Sequence, residues 1–177
     1  MPDFLHNHPW WNYIHEDLQE LLNQSVLLSE VFADRKKDIR EKLFGKRNNP
    51  VFHDYSFIVF PAAKAYEGFL KNLFYDLRFI DEEDFFGKRF RVGKALNPQL
   101  EKRYRDAESV YDRLVDFCQG NELADTLWDT WKEGRNMLFH WFPNERNAIS
   151  YAEARLRIDK ILEAMDMAFE ECKINST

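Results

Sequence analysis

Cysteine is scarce in this sequence: Cys118 and Cys172 are the only two, and they lie far apart. A small disulfide-stabilised fold needs several cysteines at regular spacing, and a paired-cysteine zinc site needs them close together. Both thiols are therefore expected to be free, which favours a reducing, cytoplasmic compartment. The histidines at positions 6, 8 and 15 lack a further acidic or soft ligand at suitable spacing, so no metal is expected.

Long apolar runs are also missing. The longest, FIVFPAA from Phe57, is too short to cross a bilayer. The N-terminal stretch PDFLHNHPWWNYIHEDL has no cationic start followed by an apolar segment, as a secretion signal would. Neither membrane insertion nor secretion is therefore expected. The sequence has no serine nucleophile elbow and no glycine-rich phosphate loop, and no cofactor is expected.

No stretch alternates apolar and polar residues as a half-buried strand does. With 45% apolar and 16% aromatic residues, the chain should nevertheless bury a substantial core. Apolar residues recur at helical spacing, and the predicted helices run from about Trp10 to Phe32, Ser56 to Leu77, Pro98 to Cys118, Glu122 to His140 and Ser150 to Lys173. With one short turn expected between Asp81 and Pro98, the sequence predicts an all-α, up-and-down bundle of five or six helices.

A loop with the sequence GKRNNP, at residues 45–50, divides the chain. We expect an N-terminal helical arm over residues 1–49, followed by a helical bundle over residues 50–177.

The sequence has no overall excess of positive charge, and its formal charge of −6 argues weakly against nucleic acid. Positive residues are nevertheless concentrated between positions 87 and 105, where Glu101 is the single acid. Such a cluster is either the solvated surface of helices and loops or a phosphate-binding surface. In the second case the RNA-binding residues would be Lys88, Arg89, Arg91, Lys94, Arg103 and Arg105.

The stretch GRNMLFHWF carries the candidate chemistry, because Arg135 and His140 flank four residues near the end of a predicted helix. Asn136, four residues before His140, should share a helix face with it, and the long side chain of Arg135 can reach the same end. RNA supplies its own nucleophile in the 2′-hydroxyl group, a histidine can move a proton, and a guanidinium group can stabilise phosphoryl charge. The pair could therefore cleave RNA without a metal.

The spacing alone is equally compatible with a helix-terminal histidine beside a surface arginine. However, RN followed by an apolar triplet and H, on the penultimate helix of a small bundle, resembles the HEPN superfamily motif. PAAKAYEGFLKNLFYDL together with GRNMLFHW is similar to the catalytic domain of RNase LS type toxins of bacterial toxin–antitoxin systems, over roughly residues 50–170.

This resemblance implies that Glu67, of AYEGFLK, joins Arg135 and His140 as a catalytic residue. The alternative from periodicity is a solvent-facing Glu67 that pairs with Lys71 one turn later. Asn136 and Trp141 would support the site. The family resemblance also implies an RNA substrate, a homodimer and a cognate antitoxin protein. The biological setting that it implies is a toxin–antitoxin or phage-defence system.

The chain departs from relatives of this kind in two ways. The larger toxins have additional N-terminal domains, whereas only about fifty residues precede the similar region here. HepT-like members have a tyrosine two residues after the histidine, and Phe142 stands there in this chain, so control by nucleotidylation of that tyrosine is not available.

Three functions remain open at this stage: an RNA endonuclease toxin, a non-catalytic HEPN module that binds RNA or a nucleotide, and a structural helical interaction protein.

Overall fold

The computed structural model describes residues 3–33, 52–140, 143 and 147–172. Helices but no strands occur in these ranges, which confirms the predicted all-helical bundle. The eight α-helices of the described residues are α1 (Glu16–Phe32), α2 (Ser56–Asp76), α3 (Glu82–Phe86), α4 (Val92–Ala95), α5 (Lys102–Glu108), α6 (Val110–Cys118), α7 (Glu122–Trp131) and α8 (Tyr151–Glu171).

Side chains accept hydrogen bonds from backbone N–H groups at the starts of the two longest helices, α2 and α8, and one of these side chains joins the two starts. Asp54 accepts hydrogen bonds from the backbone N–H of Ser56, at 2.9 Å, and from that of Ile149, at 3.3 Å. Ser150 and Glu153 form a reciprocal capping box at the start of α8. Because the first N–H groups of a helix have no partner within it, these side chains fix where each helix begins.

Helix α2 lies at the centre of the bundle and packs against α1 and α8. Its side chains Ile58, Phe69 and Leu73 are completely buried. The Ser25 hydroxyl of α1 donates to the carbonyl oxygen of Ile58 at 2.6 Å, and the buried hydroxyl of Tyr66 donates to Leu127 of α7 at 3.2 Å. Side chains of α1 belong to the same hydrophobic core as those of α2.

One predicted connection and one predicted helix differ from the structure in detail. The region from Asp81 to Pro98 has two short helices, α3 and α4, instead of one turn. The predicted helix from Pro98 to Cys118 is divided at the buried Ser109, whose backbone is extended and whose hydroxyl accepts the N–H of Asp112 at 3.1 Å. Serine competes for backbone hydrogen bonds in this way, so a cap replaces a continuous helix.

The predicted domain boundary near residue 50 lies outside the described residues, so the division into residues 1–49 and 50–177 stays a prediction. Among the described helices, none is both long enough and apolar enough to cross a bilayer.

One glycine permits a close approach between α4 and α7. A Cβ atom at Gly93 would lie 2.3 Å from Nε1 of Trp131, which is 4% exposed. An indole ring held in a core cannot move away cheaply.

Replacing Gly93 by alanine should therefore destabilise the protein, although alanine is the better helix former by about 1 kcal/mol. We expect a net loss of roughly 1–3 kcal/mol, as is usual when a packed core is overfilled. Thermal unfolding would measure it, with Gly120→Ala as the control because nothing lies within 4 Å of a Cβ atom there. Equal melting temperatures for the two variants would contradict this account of the packing.

Candidate functional site

Arg135 and Glu67 meet across the bundle, although 68 positions separate them in the sequence. Nη2 of Arg135 donates to Oε2 of Glu67 at 2.7 Å. The side chains are 40% and 31% exposed, respectively, so solvent reaches this ion pair. Two of the three residues that the HEPN resemblance assigns to catalysis are therefore in direct contact.

The expected alternative partner of Glu67 is engaged elsewhere. Nζ of Lys71 donates to the carbonyl oxygen of Phe85 at 2.6 Å, and it lies within 6 Å of the centres of the Phe85 and Phe90 rings. Lys71, one turn beyond Glu67, thus anchors α3 to the central helix.

Trp131, which is not among the residues predicted to form the site, provides a platform for Arg135. The Cζ atom of Arg135 lies 4.7 Å from the centre of the Trp131 ring, which is the geometry of a cation–π contact. Gly93 of α4 packs on the indole nitrogen of the same ring. The i, i+4 spacing of Trp131 and Arg135 was the available sequence signal, because residues at that spacing are neighbours on a helix.

The predicted helix from Glu122 to His140 is wrong at its C-terminal end. Helix α7 ends at Trp131, and a π-helical segment follows from Lys132 to Asn136. Within it the N–H of Met137 donates to the carbonyl oxygen of Lys132, five residues earlier, at 2.9 Å. Segments of this kind often occur at functional sites.

This geometry also corrects the expectation for Asn136 and His140. Both residues are exposed, but His140 follows the end of the helix and does not share a helix face with Asn136. The side-chain amide of Asn147 donates to the carbonyl oxygen of His140 at 2.9 Å. Trp141, the other expected supporting residue, lies outside the described residues.

Glu133 attaches the π-helical segment to α8. Its carboxylate accepts a hydrogen bond from Nζ of Lys160 at 2.8 Å, and its carbonyl oxygen accepts one from Nη1 of Arg157 at 2.6 Å. The hydrogen bond from Lys160 lowers the pKa of the Glu133 carboxyl group. The position of Arg135 therefore depends on contacts made two residues earlier.

The cationic stretch is partly neutralised by two acids from outside it and by Glu101 within it. Lys94 pairs with Glu108, Arg105 with Asp112 at 3.6 Å, and Arg103 with the neighbouring Glu101 at 2.8 Å. Lys88, Arg89 and Arg91 are exposed, and no ion pair within the described ranges involves them. Three of the six expected RNA-binding residues thus keep their charge without a carboxylate partner in the described structure.

The described residues include no group of three or more histidine, cysteine, aspartate or glutamate side chains placed to bind a metal ion.

The contact of Glu133 with Lys160 predicts a pH-dependent stability. A carboxyl group whose pKa is lower in the folded state stabilises the fold above its ordinary pKa of 4.5, and this contribution is lost as the pH falls below that value. Glu133→Gln should therefore reduce the free energy of unfolding at pH 7, by less than about 1 kcal/mol for so exposed a pair. The difference from the wild type should shrink below about pH 4.5.

Denaturant unfolding at several pH values would measure this difference. Glu163→Gln, at an exposed position of α8, is the control. A pH-independent difference for Glu133→Gln would contradict the assignment to its ionised form.

Comparison of the chain with protein-family models, with curated proteins and with solved structures finds no match in any of the three. The family assignment is therefore carried by the sequence motifs and remains a prediction.

Proposed function

We propose that this protein is a metal-independent RNA endonuclease of the HEPN type, acting as a cytoplasmic toxin in a toxin–antitoxin or phage-defence system. The observation that supports the proposal is the contact of Arg135 with Glu67. The motif resemblance pairs these two residues, whereas periodicity alone would have paired Glu67 with Lys71.

The geometry leaves Arg135 able to bind a phosphate. A guanidinium group has five N–H donors in a planar fork, and the bond to Glu67 uses one on Nη2. The Trp131 ring and the carboxylate of Glu67 hold the plane of the fork. The Glu67 carboxylate repels a phosphate, so what this arrangement contributes is orientation: less conformational freedom is lost when a phosphate binds to the remaining donors of a held side chain.

In the proposed reaction the 2′-oxygen of RNA attacks the adjacent phosphorus and the bond from phosphorus to the 5′-oxygen breaks. The attacking hydroxyl loses a proton and the leaving 5′-oxygen gains one, with His140 moving a proton. Arg135 stabilises the additional negative charge on the phosphoryl oxygens. The products are a 2′,3′-cyclic phosphate and a 5′-hydroxyl, so neither an oxidant nor a metal is needed.

The two alternatives predict different behaviour. A non-catalytic module would bind RNA or a nucleotide through the same surface without turnover. A structural interaction protein would bind neither, and Arg135 and Glu67 would serve only the fold. An ion pair this exposed contributes little to stability, about 1 kcal/mol at most, which favours a role other than folding.

Substitution of the site should abolish cleavage without unfolding the protein. His140→Ala should slow cleavage of labelled RNA in EDTA by roughly 10²- to 10⁴-fold, because proton transfer is lost. Arg135→Ala should have an effect of similar size, because charge stabilisation is lost. The cleavage rate of Glu67→Ala should lie between the rates of these variants and that of the wild type if the carboxylate orients Arg135.

Glu163→Gln, which changes an exposed residue of α8 outside both the site and the cationic stretch, is the control for the cleavage assay. The melting temperatures of all variants should stay close to that of the wild type, and RNA with a 2′-deoxy sugar at the cleaved position should resist. Cleavage at the wild-type rate by His140→Ala, in a preparation free of contaminating nuclease, would reject the mechanism.

The protein should be a homodimer. Two proton transfers are needed, and a two-fold axis would bring a second Arg135 and His140 to one cleft. Light scattering at micromolar concentration should give twice the mass of the 21.3 kDa chain. A monomer that still cleaves RNA would remove this part of the proposal and leave the chemistry of the single site.

A further inference from the structure

A small pocket lies beside the cationic stretch and is separate from the ion pair of Arg135 and Glu67. Its volume is about 200 Å³, and it is more enclosed than the grooves along α1 and α2. Apolar walls come from Phe79, Phe90 and Val110. The charged side chains that line it are Asp84, Arg89, Arg91, Lys94 and Glu108.

Two of the pocket walls are held in place by hydrogen bonds from one half-buried side chain. The guanidinium group of Arg113 donates to the carbonyl oxygen of Phe79 and, at 3.0 Å, to that of Ala107. These carbonyl oxygens belong to the end of the connection after α2 and to helix α5. A pocket with walls fixed in this way costs little to organise when a ligand binds.

The charges of the pocket favour an anion. Three cations face two carboxylates, and one cation, Lys94, is paired with Glu108 and lies 4.5 Å from the Tyr104 ring. Arg91 donates from Nη1 to the carbonyl oxygen of Lys88 at 3.3 Å, which leaves its other donors available. Arg89 and Arg91 are both exposed at the rim.

We propose that this pocket binds a phosphate monoester: the terminal phosphate of a mononucleotide or of a 5′-phosphorylated RNA. Arginine binds phosphate oxygens through two parallel N–H donors, so the two rim arginines suit a terminal group with three free oxygens. The enclosed shape accepts the end of a ligand and not a continuous strand. The aromatic walls offer a surface for the adjoining sugar or base.

Substitution of Glu108 should change the affinity for phosphate in the opposite direction to substitution of the arginines. Its carboxylate competes with a bound phosphate for Lys94 and repels the incoming anion. Removing that negative charge frees Lys94, so Glu108→Gln should tighten phosphate binding while Arg89→Ala and Arg91→Ala weaken it. Electrostatic attraction of the whole surface would not distinguish Glu108 from other paired acids.

The test compares ligands that differ by the terminal phosphate alone. Calorimetry would measure AMP against adenosine, and fluorescence anisotropy would measure a 2′-O-methyl oligonucleotide with a 5′-phosphate against the same strand with a 5′-hydroxyl. The 2′-O-methyl strand has no free 2′-hydroxyl, so cleavage cannot interfere. In at least one of these two comparisons, the phosphorylated ligand should bind at least about tenfold more tightly than the ligand without the phosphate.

Matched variants test the location. Arg89→Ala and Arg91→Ala should each lower the affinity for the phosphorylated ligand several-fold, and Glu108→Gln should raise it. Lys102→Ala and Glu101→Gln are the controls, because these charges lie outside the pocket lining. Glu101 is ion-paired like Glu108, so a similar gain from Glu101→Gln would overturn the proposal, as would equal binding of ligands with and without the phosphate.

The two sources of the phosphate give different patterns. Competition by AMP at similar concentration to the oligonucleotide indicates a mononucleotide, whereas tight binding of the oligonucleotide alone indicates an RNA end. This inference does not rest on the proposed nuclease activity. If the protein binds the phosphate but cuts no RNA, the proposed function is rejected and the phosphate-binding pocket stands. If it cuts RNA but does not distinguish ligands by their terminal phosphate, the pocket is rejected and the proposed function stands.

Discussion

The burial of helix α2 is the constraint on which the rest of the structure depends. Most of its circumference is covered, and the exposed or half-exposed positions of its middle part include a stripe at 60, 64, 67 and 71. These positions are four, three and four residues apart, which places them on one side of a helix. Glu67 faces accessible space because the other sides of α2 are occupied. A charged residue on a central helix can only lie along such a stripe, since an unpaired buried charge would be too costly.

The bundle was predictable from the sequence because apolar periodicity reports directly which side of a helix is buried. The ends of the helices were less predictable. A π-helical segment differs from an α-helix by one hydrogen-bond register, and nothing in the side chains of KEGRN encodes that change plainly. The prediction that Asn136 and His140 share a helix face was wrong for this reason. The division at Ser109 depended on whether a serine would bond to its own chain, a choice that periodicity does not resolve.

The candidate site was predictable in part, and for two different reasons. The residues of the motif and the assignment of Glu67 came from family resemblance, whereas local spacing favoured Lys71 as the partner. For the platform under Arg135 the i, i+4 spacing of Trp131 and Arg135 was the one signal, and it is a weak one because Trp131 has the same apolar character as its core neighbours. The positive charge of the cationic stretch was overestimated, because two of the acids that neutralise it follow the stretch in the sequence. These acids are Glu108 of α5 and Asp112 of α6.

The π-helical segment also makes the site sensitive to chain length. Successive residues of a helix point in different directions around its axis, about 100° apart in an α-helix, so one residue more or fewer between Trp131 and Arg135 would turn the arginine away from Glu67. Substitutions at the intervening positions keep that register, but an insertion or a deletion does not. The pairing of the two side chains is therefore specified by a count of residues as well as by their identity, and single-residue length changes in this segment would be less tolerable than changes of side chain.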